Sequence, residues 1–437
     1  MFVLALVIRL SNVALLDNPS GFFAESDTLT YWALGMALAH PDSFWSTLCS
    51  LTDRMPLYPL MLAGMQSVFG NAPRVVAFAQ GALDAGTCVL IAALGSLVAP
   101  RVGLLAGMLA AFSMTLLVLS SQILTDTLFV FFLALWLLCT ARFLTAPTTA
   151  LAILAGLAAG LALITRSAIA LLLIAVLPVM FAGALVHNRR TVRALLAAGL
   201  FAVSAAAPVL PVLWRNASVY HTLSLTSQTG DHLAFWIVPL VAQRADGTPY
   251  QETVKRMQAL YRESLAQRPV SEQANPFVQS SVKAAAARQP MARLPLSAFA
   301  EAWLEGIVIN LASPALLADP RVRALPKPNF YNMPGASLWE RTKAYFLDHP
   351  GLYQALLGAG LIAMVPFIVL EAAGLVMLAR GFPLAAVLAT GVLAYFLLLS
   401  GPVAGPKYRL PLEPVLLVLA AIPLAAMADR YIKRRPE

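Results

Sequence analysis

The chain has 437 residues, of which 59% are hydrophobic and only 12% are charged. Soluble domains average about 25% charged and about 45–50% apolar residues, so this balance excludes an ordinary soluble globular protein. The net charge of +9 fits a membrane protein, whose cytoplasmic loops gather Lys and Arg, better than it fits a nucleic-acid-binding protein. The composition therefore predicts an integral membrane protein with no nucleic-acid partner.

Ten apolar runs are predicted to cross the bilayer as helices, since a spanning helix needs about 20 mostly apolar residues. They occupy residues 1–17, 75–97, 103–122, 127–145, 148–165, 168–186, 194–213, 351–378, 383–400 and 411–429. The first run shows no clear cleavage pattern of a signal peptide, so we expect it to be retained as the first membrane helix. A further apolar stretch, 57–70, is too short to cross and is predicted to lie at the interface. The fold class is therefore an all-α polytopic membrane protein.

The distribution of Lys and Arg in the short loops predicts the orientation. With the N-terminus inside, the cytoplasmic side carries Arg101, Arg142, Arg189, Arg190, Arg193, Arg380, Arg430, Lys433, Arg434 and Arg435, whereas the short outer connection 123–126 has no Lys or Arg. We therefore expect a plasma (inner) membrane protein with both termini in the cytoplasm. Two large loops then lie outside, at about 18–74 and 214–350.

These features divide the chain into three parts. Residues 1–213 form an N-terminal transmembrane module that contains the first outer loop, 18–74. Residues 214–350 form the large outer loop, where apolar residues at helical spacing predict an amphipathic helix at 251–267. Residues 351–437 form the C-terminal transmembrane helices and a basic tail.

Carboxylates in and near the outer loops are candidates for catalysis. Glu25 and Asp27 stand two residues apart in the first outer loop, where partial burial would raise the pKa of a carboxylate from near 4 toward that of a useful general base. Asp126 lies at an outer hinge between two spans, as a second acid or as a residue that orients the first. Helix capping is the alternative for these acids. Asp84 lies inside a span, where we expect a structural role with Gln80 as its partner.

Cations and aromatic residues suited to an anionic phosphate recur on the same outer side. An Arg can fork onto a phosphate, and fixed donors stabilise its negative charge. The candidates are Arg54 and Tyr58 in RMPLYP, Arg166 in ITRSA, and Lys407, Tyr408 and Arg409 in GPKYRLP. The alternative is a belt of interfacial aromatic residues and snorkelling cations.

The sequence offers no support for several other chemistries. It contains no HExxH motif or paired histidines for zinc, no GxSxG motif and no glycine-rich nucleotide-binding motif. Its three cysteines imply no disulfide. No cofactor is therefore predicted with certainty.

Together these motifs resemble the GT-C glycosyltransferases, in the branch of the protein O-mannosyltransferases and the lipid A aminoarabinose transferases. The matching stretches are Glu25 and Asp27 in the first outer loop, RMPLYP at 54–59, LTDTLF at 124–129, ITR at 164–166 and PKYRLPLEP at 406–414. Their order, spacing and sidedness fit across most of the membrane region.

The resemblance implies a GT-C-like bundle and an enzyme that moves a sugar, with inversion, from a polyprenyl-phosphate carrier to a lipid, glycan or protein acceptor at the outer face. Asp27 would be the general base, with Glu25 and Asp126 as further catalytic acids. Arg54, Tyr58, Arg166, Lys407, Tyr408 and Arg409 would hold the donor phosphate. The first loop reads ExD rather than DxD or DxE, which leaves a divalent metal an open question. The chain is also shorter than the best-known members, which leaves the acceptor class open.

Two other functions compete with this reading. A transporter or flippase of a lipid-linked sugar would place polar residues near the bilayer midplane, and Asp84 alone favours it. A polymerase or ligase of surface polysaccharide would also act on the outer face, and the acidic first loop argues against it.

Overall fold

The computed structural model describes residues 1–16, 19–23, 26–188, 191–330, 333–335 and 337–433, which form helices and contain no β-strand. The first twelve helices are α1 (Phe2–Ala14), α2 (Ser26–Ala39), α3 (Pro41–Ser50), α4 (Leu57–Phe69), α5 (Pro73–Ser96), α6 (Pro100–Phe112), α7 (Met114–Ser120), α8 (Asp126–Thr145), α9 (Thr149–Thr165), α10 (Ala170–Asn188), α11 (Thr191–Ala206) and α12 (Leu210–Tyr220). The other twelve are α13 (Thr229–His232), α14 (Val238–Ala245), α15 (Tyr250–Ala266), α16 (Val270–Gln273), α17 (Pro276–Arg293), α18 (Leu296–Ala312), α19 (Pro320–Arg323), α20 (Leu338–Leu347), α21 (Leu352–Gly381), α22 (Pro383–Ser400), α23 (Pro406–Arg409) and α24 (Glu413–Lys433). Five predicted residues, Glu25, Arg189, Arg190, Arg434 and Arg435, lie outside the described residues.

The described helices confirm an all-α polytopic membrane fold. Six stretches are long and apolar enough to cross a membrane: α5, α8, α10 with its preceding turn, α21, α22, and α23 with α24. Three bent pairs, α6–α7, α11–α12 and α17–α18, raise the count within the described residues to as many as nine. The predicted spans 1–17 and 148–165 correspond to α1 and α9, which have 13 and 17 residues.

The region predicted as one large loop, 214–350, is also helical. The amphipathic helix predicted at 251–267 is confirmed as α15, which buries Met257. The sequence did not predict α17 and α18, which meet at an angle of 112°. Alanines and polar residues in α17 dilute its apolar character, so its hydropathy did not reveal it.

Small residues let the helices around the site approach closely. A Cβ atom at Gly156 or Gly160 of α9 would lie within 2.5 Å of a carbonyl oxygen of α11, that of Phe201 or Ala205. Small residues of this kind are the usual means by which membrane helices pack backbone to backbone. Helix α9 therefore packs tightly between α8 and α11, and the start of α8 and the end of α9 are held in fixed relative positions.

A buried ion pair joins α1 to α5. Nε of Arg9 lies 2.8 Å from Oδ2 of Asp84, and both side chains are almost completely buried. The same guanidinium donates to the carbonyls of Ala110 and Ala111, which lie beside the break between α6 and α7. The expectation that Gln80 would partner Asp84 is therefore wrong, whereas the expected structural role of Asp84 fits this network.

Candidate functional site

Five of the residues singled out in the sequence line one polar cavity of about 140 Å³. The cavity lies where the start of α2, the turn before α4, the start of α8, the end of α9 and α23 meet. Its lining consists of Asp27, Tyr31, Arg54, Met55, Leu124, Thr125, Asp126, Thr165, Arg166, Ser167, Ala168, Thr226, Gln228 and Lys407. Three cations and two carboxylates from distant parts of the chain are thus gathered in a small space.

Asp27 is the accessible carboxylate of this cavity. It lies in the first turn of α2, where the helix dipole favours a negative charge. Nη2 of Arg54 lies 3.2 Å from its Oδ1 atom, and Nζ of Lys407 lies 4.0 Å from its Oδ2 atom. The side chain is nevertheless 41% exposed, so a substrate could reach it between the two cations.

Asp126 has a different environment. Its side chain is only 4% exposed, and its Oδ1 atom lies 2.5 Å from Nη1 of Arg166. Arg166 follows the last residue of α9 in extended backbone conformation, and its side chain reaches the start of α8. Burial would lower the pKa of the Arg166 guanidinium, but the Asp126 carboxylate and other nearby groups outweigh it and raise that pKa. Asp126 therefore holds Arg166 in a fixed position, whereas the sequence had offered it as a second acid or as a residue that orients Asp27.

Arg54 occupies the wall next to Asp27. Its guanidinium also contacts Asp53, at 3.5 Å, and lies over the ring of Tyr31, 5.6 Å from the centroid. Burial raises the pKa of Tyr31, although Arg54 and Arg166 act to lower it. The Tyr31 hydroxyl therefore stays protonated at neutral pH and lines the cavity as a neutral hydrogen-bonding group.

Tyr58, which the sequence assigned to the donor phosphate, does not line the cavity. Its side chain is completely buried, and its hydroxyl donates to Oε1 of Gln80 at 2.7 Å. The amide of Gln80 in turn donates to the carbonyls of Ser120 and Gln122. The Tyr58 ring packs edge-on against Tyr31, with centroids 5.4 Å apart. Tyr58 therefore packs against Tyr31, and its hydroxyl is hydrogen-bonded within the core rather than directed to the cavity.

Arg409 is also directed away from the cavity. Its Nε atom lies 2.8 Å from Oε1 of Glu413, its Nη2 atom 2.6 Å from Oε1 of Glu371, and its Nη1 atom donates to the carbonyl of Leu311. The residue is only 3% exposed. Its guanidinium is paired within the helix core, so we do not propose Arg409 as a phosphate-binding residue. Lys407, two residues earlier, is the cation of this motif that lines the cavity.

A second, larger cavity of about 580 Å³ adjoins the first and is lined mainly by apolar side chains. We call it the apolar groove; its walls come from α18, the 3₁₀ turn Ala315–Ala318, α20, α21 and α23. Tyr408 lies in this groove, and Lys407 lines both cavities. A groove of this volume is within the usual range for bound ligands, and its lining suits a long hydrocarbon chain.

Further basic residues line the groove near its polar parts. Arg323 and Lys327 both contribute to the lining. Burial, followed by the nearby Arg323, lowers the pKa of Lys327, whose Nζ atom lies 4.6 Å from the centroid of the Tyr353 ring. The groove therefore combines an apolar body with cationic margins.

Neutral polar residues complete the polar cavity, and the sequence did not single them out. Thr226 and Gln228 come from the segment between α12 and α13, and Thr165 and Ser167 flank Arg166. Threonine, serine and glutamine are common in loops, so no pattern in the sequence could mark them. Among the described residues, no group of three or more His, Cys, Asp and Glu side chains is placed to hold a metal ion.

Comparison with known families finds one match. The family described as "Dolichyl-phosphate-mannose-protein mannosyltransferase" matches residues 53–214. This stretch contains Arg54, Asp126 and Arg166, whereas Asp27 and Lys407 lie outside it. Comparison with the curated proteins finds no significant match.

Solved structures that are similar to this chain include AglB and ArnT. One is the archaeal oligosaccharyltransferase AglB from Archaeoglobus fulgidus, solved with an inhibitory peptide and a dolichol-phosphate, with a TM-score of 0.54 and 15% identity. That match covers 99% of this chain and 51% of AglB, so the chain spans about half the length of that protein. The other is ArnT from Cupriavidus metallidurans in the apo state, with a TM-score of 0.39, 16% identity, and coverage of 98% of this chain and 80% of ArnT.

The helical bundle, with its charged cavity at one end, defines a polytopic membrane protein of the GT-C fold. The family match covers Arg54, Asp126 and Arg166, and the likeness to AglB extends over 99% of the chain. The chain therefore has a fold similar to that of AglB, and its residues 53–214 match the mannosyltransferase family, in the direction that the sequence resemblance had indicated.

Proposed function

We propose that this protein is a membrane glycosyltransferase that moves a sugar from a polyprenyl-phosphate carrier to an acceptor. The observation that carries the proposal is the position of Lys407, which lines both the cationic cavity and the apolar groove. A lipid-linked sugar has the matching construction, because an anionic phosphate joins a polar sugar to a long hydrocarbon chain. The match to a dolichyl-phosphate-mannose-dependent family supports the same donor class.

In this proposal the donor phosphate binds among Arg54, Arg166 and Lys407, the prenyl chain occupies the apolar groove, and the sugar lies beside Asp27. An acceptor hydroxyl or amine attacks the anomeric carbon, and the bond from that carbon to the phosphate oxygen breaks. Asp27 accepts the acceptor's proton, and the released carrier phosphate keeps the electron pair of the broken bond. Attack opposite the leaving phosphate inverts the anomeric centre.

Arg54, Arg166 and Lys407 act mainly by stabilising the transition state. Negative charge grows on the phosphate as its bond to the sugar breaks, so fixed cations bind the transition state more tightly than the ground state. Asp126 contributes by holding Arg166 in one place, at 2.5 Å. This spares the enzyme the reorganisation of a long, flexible side chain during the reaction.

We further propose that the cavity faces the outside of the plasma membrane. The basis is the excess of Arg in the connections at the opposite end of the bundle, such as Arg101 and Arg142. An outward-facing site would act on a lipid, glycan or protein acceptor of the cell envelope.

The test uses the purified protein in lipid with a panel of labelled polyprenyl-phosphate sugars and candidate acceptors, and it follows release of free carrier phosphate. Asp27→Asn should lower turnover by about 10²–10⁴-fold, the usual contribution of a general base. Asp42→Asn is the matched control, because Asp42 is an exposed acid on α3 that does not line the cavity. Undiminished turnover by Asp27→Asn would exclude Asp27 as the base.

The transporter alternative rested on Asp84 near the middle of a span. That carboxylate is paired with Arg9 in a buried network, so it already has a structural role. The charged residues that line the polar cavity are grouped at one end of the bundle, which favours chemistry at the membrane surface over passage across the membrane.

A further inference from the structure

The segment 222–228, between α12 and α13, forms a fixed neutral wall of the polar cavity. Ser227 is buried, and its backbone N–H donates to the carbonyl of Thr52 at 2.9 Å, with the two hydroxyls 3.3 Å apart. The fully buried Asn216 donates from its amide to the carbonyls of Ser224 and Leu225. The segment is therefore tied to α12 on one side and to the chain just before Arg54 on the other.

This attachment directs the two neighbours of Ser227 toward the cavity. Thr226 and Gln228 both line it, whereas Ser227 between them faces Thr52. Gln228 is exposed, and although it precedes α13, its side chain makes no capping hydrogen bond to that helix. Its exposed side chain therefore lines the cavity without capping α13.

The chemistry of this wall differs from that of the rest of the cavity. Arg54, Arg166 and Lys407 suit a phosphate, whereas a glutamine amide and a threonine hydroxyl carry no charge and both donate and accept hydrogen bonds. A sugar hydroxyl likewise donates and accepts, so it is the natural partner of such groups. Thr226 and Gln228 line the polar cavity but not the apolar groove, which places them on the side of the headgroup.

We infer that Thr226 and Gln228 determine which sugar the protein accepts, by hydrogen-bonding hydroxyl groups of the donor sugar. The inference rests on the proposed glycosyltransferase function and adds its specificity-determining residues. A site built to hydrogen-bond a hydroxyl rejects an analogue that lacks it, because its own polar groups are then left unpaired. One such neutral hydrogen bond corresponds to a factor of up to about ten in kcat/KM.

The test compares the best polyprenyl-phosphate hexose donor with its 2-, 3-, 4- and 6-deoxy counterparts, using the purified protein in lipid and release of carrier phosphate. Gln228→Ala and Thr226→Val are the test variants. Gln251→Ala is the matched control, an exposed glutamine on α15 that does not line the cavity. The measured quantity is the ratio of kcat/KM between the parent donor and each deoxy donor.

We expect the wild type to disfavour at least one deoxy donor, and a test variant to lower kcat/KM for the parent donor by about tenfold without changing it for that deoxy donor. The ratio would then fall toward one, while Gln251→Ala keeps the wild-type ratio. An active wild type whose ratios are unchanged in both variants, or variants that slow all donors equally, would overturn this inference alone. A wild type that releases carrier phosphate from no donor would overturn the proposed function and this inference with it.

Discussion

Two aspartates in one cavity differ in what they can do. Asp27 is 41% exposed between two cations, whereas Asp126 is 4% exposed and held by Arg166. A general base must be reachable by the acceptor's proton, and an orienting group must be fixed. Exposure and partners therefore support our proposal of Asp27 as the base and of Asp126 as the group that fixes Arg166, although both are carboxylates at the start of helices.

The coupling of Asp126 to Arg166 leads to a prediction for a double-mutant cycle. Asp126→Asn and Arg166→Gln should each lower turnover, because each removes the fixed cation or the group that fixes it. Since the two residues act as one unit, the double variant should lose less than the sum of the single losses, with a coupling of about 0.5–3 kcal/mol. The measurement is kcat/KM for carrier-phosphate release in all four proteins, with Asp42→Asn as the control. Strictly additive losses would show that the pair does not act as a unit.

Lys407 and Arg409 show why the sequence could not separate binding residues from structural ones. Both are cations in one short motif, and both were assigned to the donor phosphate. Residues two apart on a helical turn point in nearly opposite directions. The turn of α23 therefore presents Lys407 to the cavity and Arg409 to the core, where two carboxylates receive it. Which side faces the cavity depends on how α23 packs, and the motif alone does not contain that information.

At the scale of elements, Arg409 joins α21, α23 and α24, which leads to a stability prediction. Arg409→Ala would leave Glu371 and Glu413 buried without their counter-ion, and breaking a buried pair in this way costs about 3–5 kcal/mol. The melting temperature of the purified protein in detergent should fall clearly. Arg409→Lys should fall less, because it keeps the charge but loses the forked geometry.

Lys407→Ala provides the contrast, since it should reduce turnover with little change in melting temperature. The opposite result, an Arg409→Ala protein with unchanged melting temperature and lost turnover, would restore Arg409 as a phosphate-binding residue.

Elements were predictable where a long apolar run carried the signal. The runs that became α5, α8, α10, α21 and α22 were placed within a few residues, because a bilayer requires about 20 apolar residues from each span. The pair α17–α18 was missed, since α17 is rich in alanine and polar residues. The sequence also did not reveal contacts between distant segments, such as the ion pair of Arg9 and Asp84, which lie 75 residues apart.

At the scale of the whole molecule, the charged motifs could be predicted as a group because they all fell on the same side of the predicted spans. Asp27, Arg54, Asp126, Arg166 and Lys407 indeed line one cavity. The sequence did not reveal the neutral wall or the apolar groove. Both consist of common residue types, and only their position in the fold shows that they line a cavity.

The orientation of the molecule leads to a labelling prediction that needs no substrate. Cys49 is exposed on α3, near the cavity end of the bundle, whereas Cys88 and Cys139 are buried. The connection after α8 lies at the opposite end, because α8 starts at the cavity with Asp126 and is long enough to span the membrane. A membrane-impermeant maleimide applied to intact cells, with the outer membrane permeabilised where there is one, should therefore label Cys49.

The matched control is Ala146→Cys in a Cys49→Ser background, since Ala146 is exposed in that connection. The introduced thiol should be labelled only after the plasma membrane is opened, because the excess of Arg predicts a cytoplasmic position there. The reverse pattern, with the Ala146→Cys variant labelled in intact cells and the wild-type Cys49 protected, would place the cavity in the cytoplasm. The proposed chemistry would then take place on the inner leaflet, and the acceptor would have to be sought inside the cell rather than in its envelope.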